Sequence, residues 1–161
     1  MRVIILNGPL GVGKTTVGKA IANKYSGTAF IDGDWCFDLH PFIGNKETKT
    51  MAIDNILHLI NNYRTCSECK QIVLVWLMDE QWVYDSLVTG IRDMGMDMFE
   101  VTLWCDAEEL KKRWVNDVIC EWRTDEWLEI SKKSLPYFKR QRMVLDTSGI
   151  DIAKIVDMIM E

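Results

Sequence analysis

Gly8-Pro9-Leu10-Gly11-Val12-Gly13-Lys14-Thr15 fits the pattern G-x-x-x-x-G-K-T, and Thr16 follows it. Each residue type there has a chemical use. Gly8, Gly11 and Gly13 let the backbone curl until several N–H groups, that of Val12 among them, converge on phosphate oxygens. A helix opening at Thr15 and Thr16 adds unpaired donors and a positive dipole end. Lys14 carries a mobile positive charge to the β- and γ-phosphates, and Thr15 offers a hydroxyl to Mg²⁺. The flanks agree with that reading. Arg2–Leu6 is an apolar run suited to a buried strand, and Thr15–Tyr25 has Val17, Ile21 and Tyr25 on one helical face.

Carboxylates come next. Asp32-Gly33-Asp34 ends a short predicted strand, Thr28–Ile31. Residues two apart on an extended segment point the same way, so both acids are expected to face one crevice. One suits Mg²⁺; the other suits an acceptor hydroxyl, orienting it and taking its proton. D-G-D is also good turn chemistry by itself. Trp35 could floor an acceptor pocket or pack on the following helix. Trp76 and Asp79, at the end of a third strand, are candidate acceptor contacts. Asp79-Glu80 also reads as a Walker-B-like pair in which Glu80 activates water, or as a cap and first-turn acid of the next helix. Arg113 and Arg123, ten residues apart, approximate three helical turns and could share a face. Phosphoryl transfer needs such positioned cations. A solvated helix with Asp117, Glu121, Asp125 and Glu126 as their partners is the alternative.

The elements that must position these residues alternate. A long helix spans about Lys46–Arg64, Gln71–Leu77 is a strand, and Val83, Leu87, Ile91 and Met94 mark a helix ending near Gly95. Phe99–Cys105 is a fourth strand. Asp106 caps the next helix, with Glu109 at its third position, and that helix runs through Arg113 to about Trp122. Another helix starts at Thr124 or Asp125 and ends before Pro136. Met143–Leu145 is a fifth strand, and Ser148 caps a last helix with Ile152, Ile155, Val156 and Ile159 as its stripe. Strand-helix alternation indicates an α/β fold with a parallel sheet covered on both faces. The ligand crevice then lies at the carboxyl ends of the strands, beside Asn7, Asp32, Met78–Asp79, Asp106 and Asp146.

Gly8–Thr16, followed by Phe30-Ile31-Asp32-Gly33-Asp34, resembles the small P-loop kinases, a group that includes nucleoside monophosphate, shikimate and gluconate kinases. The resemblance covers essentially the whole chain in length and element order. It implies a three-layer P-loop fold of residues 1–161 with a five-stranded parallel sheet and a short helical lid at about 114–134. It also implies ATP and Mg²⁺ as cofactors, Thr15 and Asp32 on the metal side, and Asp34 on the acceptor side. Arg113 and Arg123 look similar to lid arginines, and Asp146-Thr147-Ser148-Gly149 to an adenine-side loop. The expected activity is transfer of the γ-phosphoryl group of Mg-ATP to a small-molecule acceptor, either a nucleotide or a hydroxylated metabolite. The alternative is a nucleotide-binding module or slow ATPase acting as a sensor or partner switch.

Composition bounds these readings. With 161 residues the chain holds one ordinary domain and lacks room for the helical subdomain of larger AAA ATPases. No run of about 18 apolar residues exists, so a membrane span is not expected. The apolar N-terminus leads into the glycine loop rather than a cleavage site. A net charge of −5 argues against nucleic acid, leaving Lys139-Arg140-Gln141-Arg142 as a solvated basic run. Five Cys without a secretion signal read as free thiols in a cytoplasmic protein, a monomer or homodimer. Cys66 and Cys69 read as a turn pair. Of the seven Trp, Trp35 and Trp76 have a place near an acceptor and the rest are assigned to packing.

Overall fold

A computed structural model describes residues 1–117, 120 and 123–161. Five strands, β1 (Arg2–Asn7), β2 (Thr28–Asp32), β3 (Gln71–Val75), β4 (Asp97–Trp104) and β5 (Val144–Asp146), form one parallel sheet in the order β2-β3-β1-β4-β5. The helices are α1 (Lys14–Lys24), α2 (Lys46–Thr65), α3 (Gln81–Asp93), α4 (Ala107–Asn116), α5 (Asp125–Phe138) and α6 (Ile152–Met160). No helix among the described residues is long and apolar enough to cross a membrane.

Alternation along the strands sorts the side chains into two cores, as the period of two requires. Ile4 and Leu6 of β1 pack with Val17 and Ile21 of α1, Leu110 of α4, Leu135 of α5 and Ile155 of α6. Val3 and Ile5 turn to the other face and meet Ile53, Ile56 and Ile60 of α2 and Leu87 and Ile91 of α3. The central strand is therefore sealed on both sides, and loops at the carboxyl edge are held by rigid elements beneath them.

Several boundaries differ from the sequence reading. The helix opened by Asp106, expected to reach about Trp122, ends at Asn116, where Asp117 leaves helical geometry with ψ 81°; Trp122 itself lies outside the described residues. Pro136 does not stop α5, which continues to Phe138 with Pro136 inside it. Burial of Phe138, 0% exposed, and a bond from Lys139 N–H to the Leu135 carbonyl at 2.9 Å offset the lost helical donor. The fifth strand starts at Val144 rather than Met143, whose φ of 50° is left-handed and cannot be extended. Ser148 does not cap the last helix. Its hydroxyl bonds the Asp146 carboxylate and accepts from Asp106 N–H, and Asp151 caps α6 through Lys154 N–H. Cys66 and Cys69 do form a turn, with the Cys69 N–H donating to the Cys66 carbonyl at 3.1 Å.

Candidate active site

The loop between β1 and α1 adopts the curl its glycines permit. Gly8, Gly11 and Gly13 have φ of 145°, 76° and 105°. At Gly8 a Cβ would lie 2.4 Å from the Leu103 carbonyl oxygen, so only glycine lets the loop leave the sheet there. No side chain caps α1. Its first N–H groups, at Lys14, Thr15 and Thr16, are left for a ligand anion. The Lys14 ammonium reaches back across the loop to the carbonyls of Gly8, 2.8 Å, and Pro9, 2.9 Å. Burial pushes Lys14 down to about 8, against the opposing pull of Asp34, Asp32 and Asp79 and with the help of the Arg123 charge.

Asp32 and Asp34 do not lie on one extended segment. Gly33–Phe37 winds into a 3₁₀ turn, and Asp32 Oδ1 accepts from Asp34 N–H at 3.1 Å. The turn explains why the alternation argument fails here, yet both acids still act on Lys14. Asp32 Oδ2 accepts from the Thr15 hydroxyl at 3.3 Å. Hydroxyl and carboxylate together form an all-oxygen donor pair of the kind Mg²⁺ takes. The Trp76 indole lies near enough to the Asp34 carboxylate to favour its charged form. Asp34 remains reachable from solvent, but desolvation by the crevice wall and then the Asp32 charge raise its pKa, with Lys14 opposing. A raised carboxylate beside a lysine suits proton acceptance from an acceptor hydroxyl.

The other expected residues divide. Trp76 is 3% exposed and packs directly on Gly33, where a Cβ would fall 2.3 Å from its ring. Trp35 is 70% exposed, with the Lys19 ammonium 5.6 Å from its ring centroid, and lines a shallow cavity with Asp32, Asn55 and His58. Asp79 is exposed and within the field of Lys14. Glu80 occupies the N-cap position of α3 without capping it. It is ion-paired with Lys49 and accepts from the Trp82 indole at 2.7 Å. Asp106 and Asp146, at other strand ends, serve a helix cap and a turn through Glu109 N–H and Ser148 N–H.

Arg113 and Arg123 do not share a helix. Arg113, on α4, bonds the Val12 carbonyl at 2.7 Å, the Thr147 hydroxyl and carbonyl at 3.0 and 2.6 Å, and Glu109 at 2.9 Å. It thereby ties the phosphate loop to the loop after β5. Arg123, before α5, pairs with Asp117 at 2.8 Å and lies 5.1 Å from the Trp114 ring centroid. It is the arginine whose charge reaches Lys14.

Two residues to which sequence reasoning gave no role in the site hold the loop. Asn7 Oδ1 accepts from Gly8 N–H at 2.8 Å and Met78 N–H at 2.9 Å, while its amide donates to the Met78 carbonyl at 3.1 Å. The phosphate loop and the loop after β3 are thus joined by one buried side chain. Trp114 lies against Gly11, where a Cβ would come within 2.7 Å of its ring. A polar residue at the end of an apolar strand was a signal for Asn7; nothing local marked Trp114.

The AAA domain family profile matches residues 4–132. A shikimate kinase of Psychrobacter arcticus is 37% identical over 65 residues, covering 33% of this chain and 34% of that enzyme's length. The tunicamycin resistance protein of Deinococcus radiodurans superposes with a TM-score of 0.73 at 16% identity, covering 98% of this chain and 92% of its own. A gluconokinase from Sinorhizobium meliloti superposes with 0.70 at 17% identity, covering 98% and 88%. The resemblance to small P-loop kinases and the five-stranded parallel fold are both borne out by these likenesses.

Proposed function

The chain belongs to the AAA domain family, and from that premise we propose that it transfers the γ-phosphoryl group of ATP to a small-molecule acceptor. The observation that carries this reading is the pair of carboxylates at the end of β2, Asp32 bonded to the Thr15 hydroxyl at 3.3 Å and to Asp34 N–H at 3.1 Å, whose charges both reach Lys14. A bare nucleotide-binding loop has no use for a second carboxylate with a raised pKa beside its lysine.

The phosphate-loop N–H groups and Lys14 bind the triphosphate. Thr15 and Asp32 would hold Mg²⁺, which when bound neutralises charge on the β- and γ-oxygens. Asp34, steadied by the Trp76 indole, accepts a hydrogen bond from the acceptor hydroxyl and takes its proton as that oxygen attacks phosphorus. The new O–P bond forms as the bond to the β-phosphate oxygen breaks, ADP leaves, and Asp34 returns the proton to solvent. Lys14 and Arg123 face the charge that builds on the equatorial oxygens.

The ATPase alternative needs Glu80 free to orient water. Its ion pair with Lys49 and its bond to Trp82 occupy it instead. The test is ADP formation from Mg-ATP with and without a panel of nucleotides, polyols, amino sugars and sugar acids. We expect acceptor-dependent ADP formation that Asp34→Asn lowers about 10²-fold or more. ADP formation indifferent to every acceptor and abolished by Glu80→Gln would replace the kinase with an ATPase.

A further inference from the structure

The acceptor half of the crevice is electrically one-sided. Asp32, Asp34, Asp79 and Glu80 stand there. From Tyr25 to Tyr63 the only Lys or Arg residues are Lys46 and Lys49, and from Gln71 to Ile91 there are none. Both lysines are engaged. Lys49 is ion-paired with Glu80, and the Lys46 ammonium lies 5.9 Å from the Trp82 ring centroid.

Other cations at this end of the sheet are placed elsewhere. Lys14 belongs to the phosphate loop, Arg123 lies over Trp114, and Lys19 sits 6.0 and 5.6 Å from the ring centroids of Phe30 and Trp35. Lys139 sits 4.4 Å from the Trp104 ring centroid. Arg92 and Arg142 line a cavity of about 350 Å³ over β1 and β4 whose lining includes Asn7, Tyr84 and Glu100 but neither Asp34 nor Asp79. Asp34 and Trp76 stand instead at the ends of β2 and β3. Val118, Ile119, Glu121 and Trp122, outside the described residues, add no positive charge.

A phosphate or carboxylate entering such a site would lose water without gaining a cation and would meet like charge. Resting on the phosphotransfer reading, we propose that the acceptor is a polyhydroxylated compound without an anionic group, either uncharged or amine-bearing. The Lys49–Glu80 pair and the acids around it exclude nucleoside monophosphates and sugar acids.

The test does not require the natural acceptor. Diadenosine pentaphosphate, whose second adenylate must enter the acceptor half, is titrated against ATP, each with Mg²⁺, by calorimetry. We expect it to bind no tighter than ATP. Binding about tenfold tighter or more, worth roughly one bound phosphate contact, would overturn the inference. Glu80→Gln releases Lys49 and is expected to tighten the pentaphosphate about fivefold, a surface-pair magnitude, while ATP affinity stays level. If Glu80→Gln changes nothing and Lys49→Met weakens the wild-type pentaphosphate complex, Lys49 already serves an anion and the inference fails. The hexose series glucosamine, glucose, gluconate and glucose 6-phosphate adds a kinetic readout. Faster ADP formation with either of the anionic pair than with the first two contradicts the charge rule while leaving phosphotransfer intact. Failure of ATP itself to bind would overturn phosphotransfer, and this inference with it.

Discussion

Lys14 carries the strongest charge demand in the crevice, and its own protonation sets when that demand can be met. Burial holds it near 8, while a bound triphosphate needs it charged. The sign follows. Below about 8 the lysine is already protonated and affinity for Mg-ATP is level with pH. Above it, binding must take up a proton, and affinity falls by up to about tenfold per pH unit. Calorimetry between pH 6.5 and 10 checks this, and Lys14→Arg should flatten the curve because arginine does not titrate there. Asn7 makes a second demand at this scale. Asn7→Ala leaves the N–H groups of Gly8 and Met78 and the Met78 carbonyl without their partner. We expect a loss of about 3 kcal/mol in stability, measured by urea unfolding, since several buried groups go unsatisfied at once.

Local elements decide which arginine does what. On sequence spacing alone, Arg113 and Arg123 are equivalent candidates for the transition state. The break after Asn116 separates them. Arg113 fastens α4 to the phosphate loop at Val12 and to Thr147, contacts that suit a positioning role. Arg123 keeps its charge within reach of Lys14. Arg113→Gln is therefore expected to raise KM for ATP roughly tenfold with a smaller change in kcat, whereas Arg123→Gln should lower kcat about 10²-fold with KM nearly unchanged. Steady-state kinetics of the two variants distinguish the roles. The same local physics marks how far the sequence could be read. The phosphate loop was legible because its glycines, lysine and threonine are dictated by backbone geometry and ligand charge within one short segment. Asp106 as a cap was legible for a similar reason, through its bond to Glu109 N–H. The 3₁₀ turn at Gly33 was not, because Gly33 packs against Trp76, more than forty residues away in the chain, and that contact decides the path. Pro136 inside α5 was missed because burial of Phe138 overrides a local rule.

Across the whole molecule the sheet order places β1 at the centre, with β3 and β4 beside it. The phosphate loop thus emerges between the acid-bearing ends of β2 and β3 and the arginine-bearing elements after β4. Net acidity resolves into two uses. Asp106 and Asp146 serve helix and turn geometry, while Asp32, Asp34 and Asp79 surround the loop lysine. The tryptophans divide likewise: Trp76 steadies Asp34, and Trp114 backs Gly11 and lies under Arg123. Packing alone did not account for the second of these.

Movement of phosphate between two bound molecules is what would set the proposed kinase apart from an ATPase. Its most direct measurement is ³¹P NMR of Mg-ATP with this protein and an acceptor mixture of uncharged and amine-bearing polyols. A new phosphate-ester resonance is expected to grow in step with ADP, and to vanish in Asp34→Asn. Growth of ADP and inorganic phosphate alone, undiminished in Asp34→Asn, would contradict it.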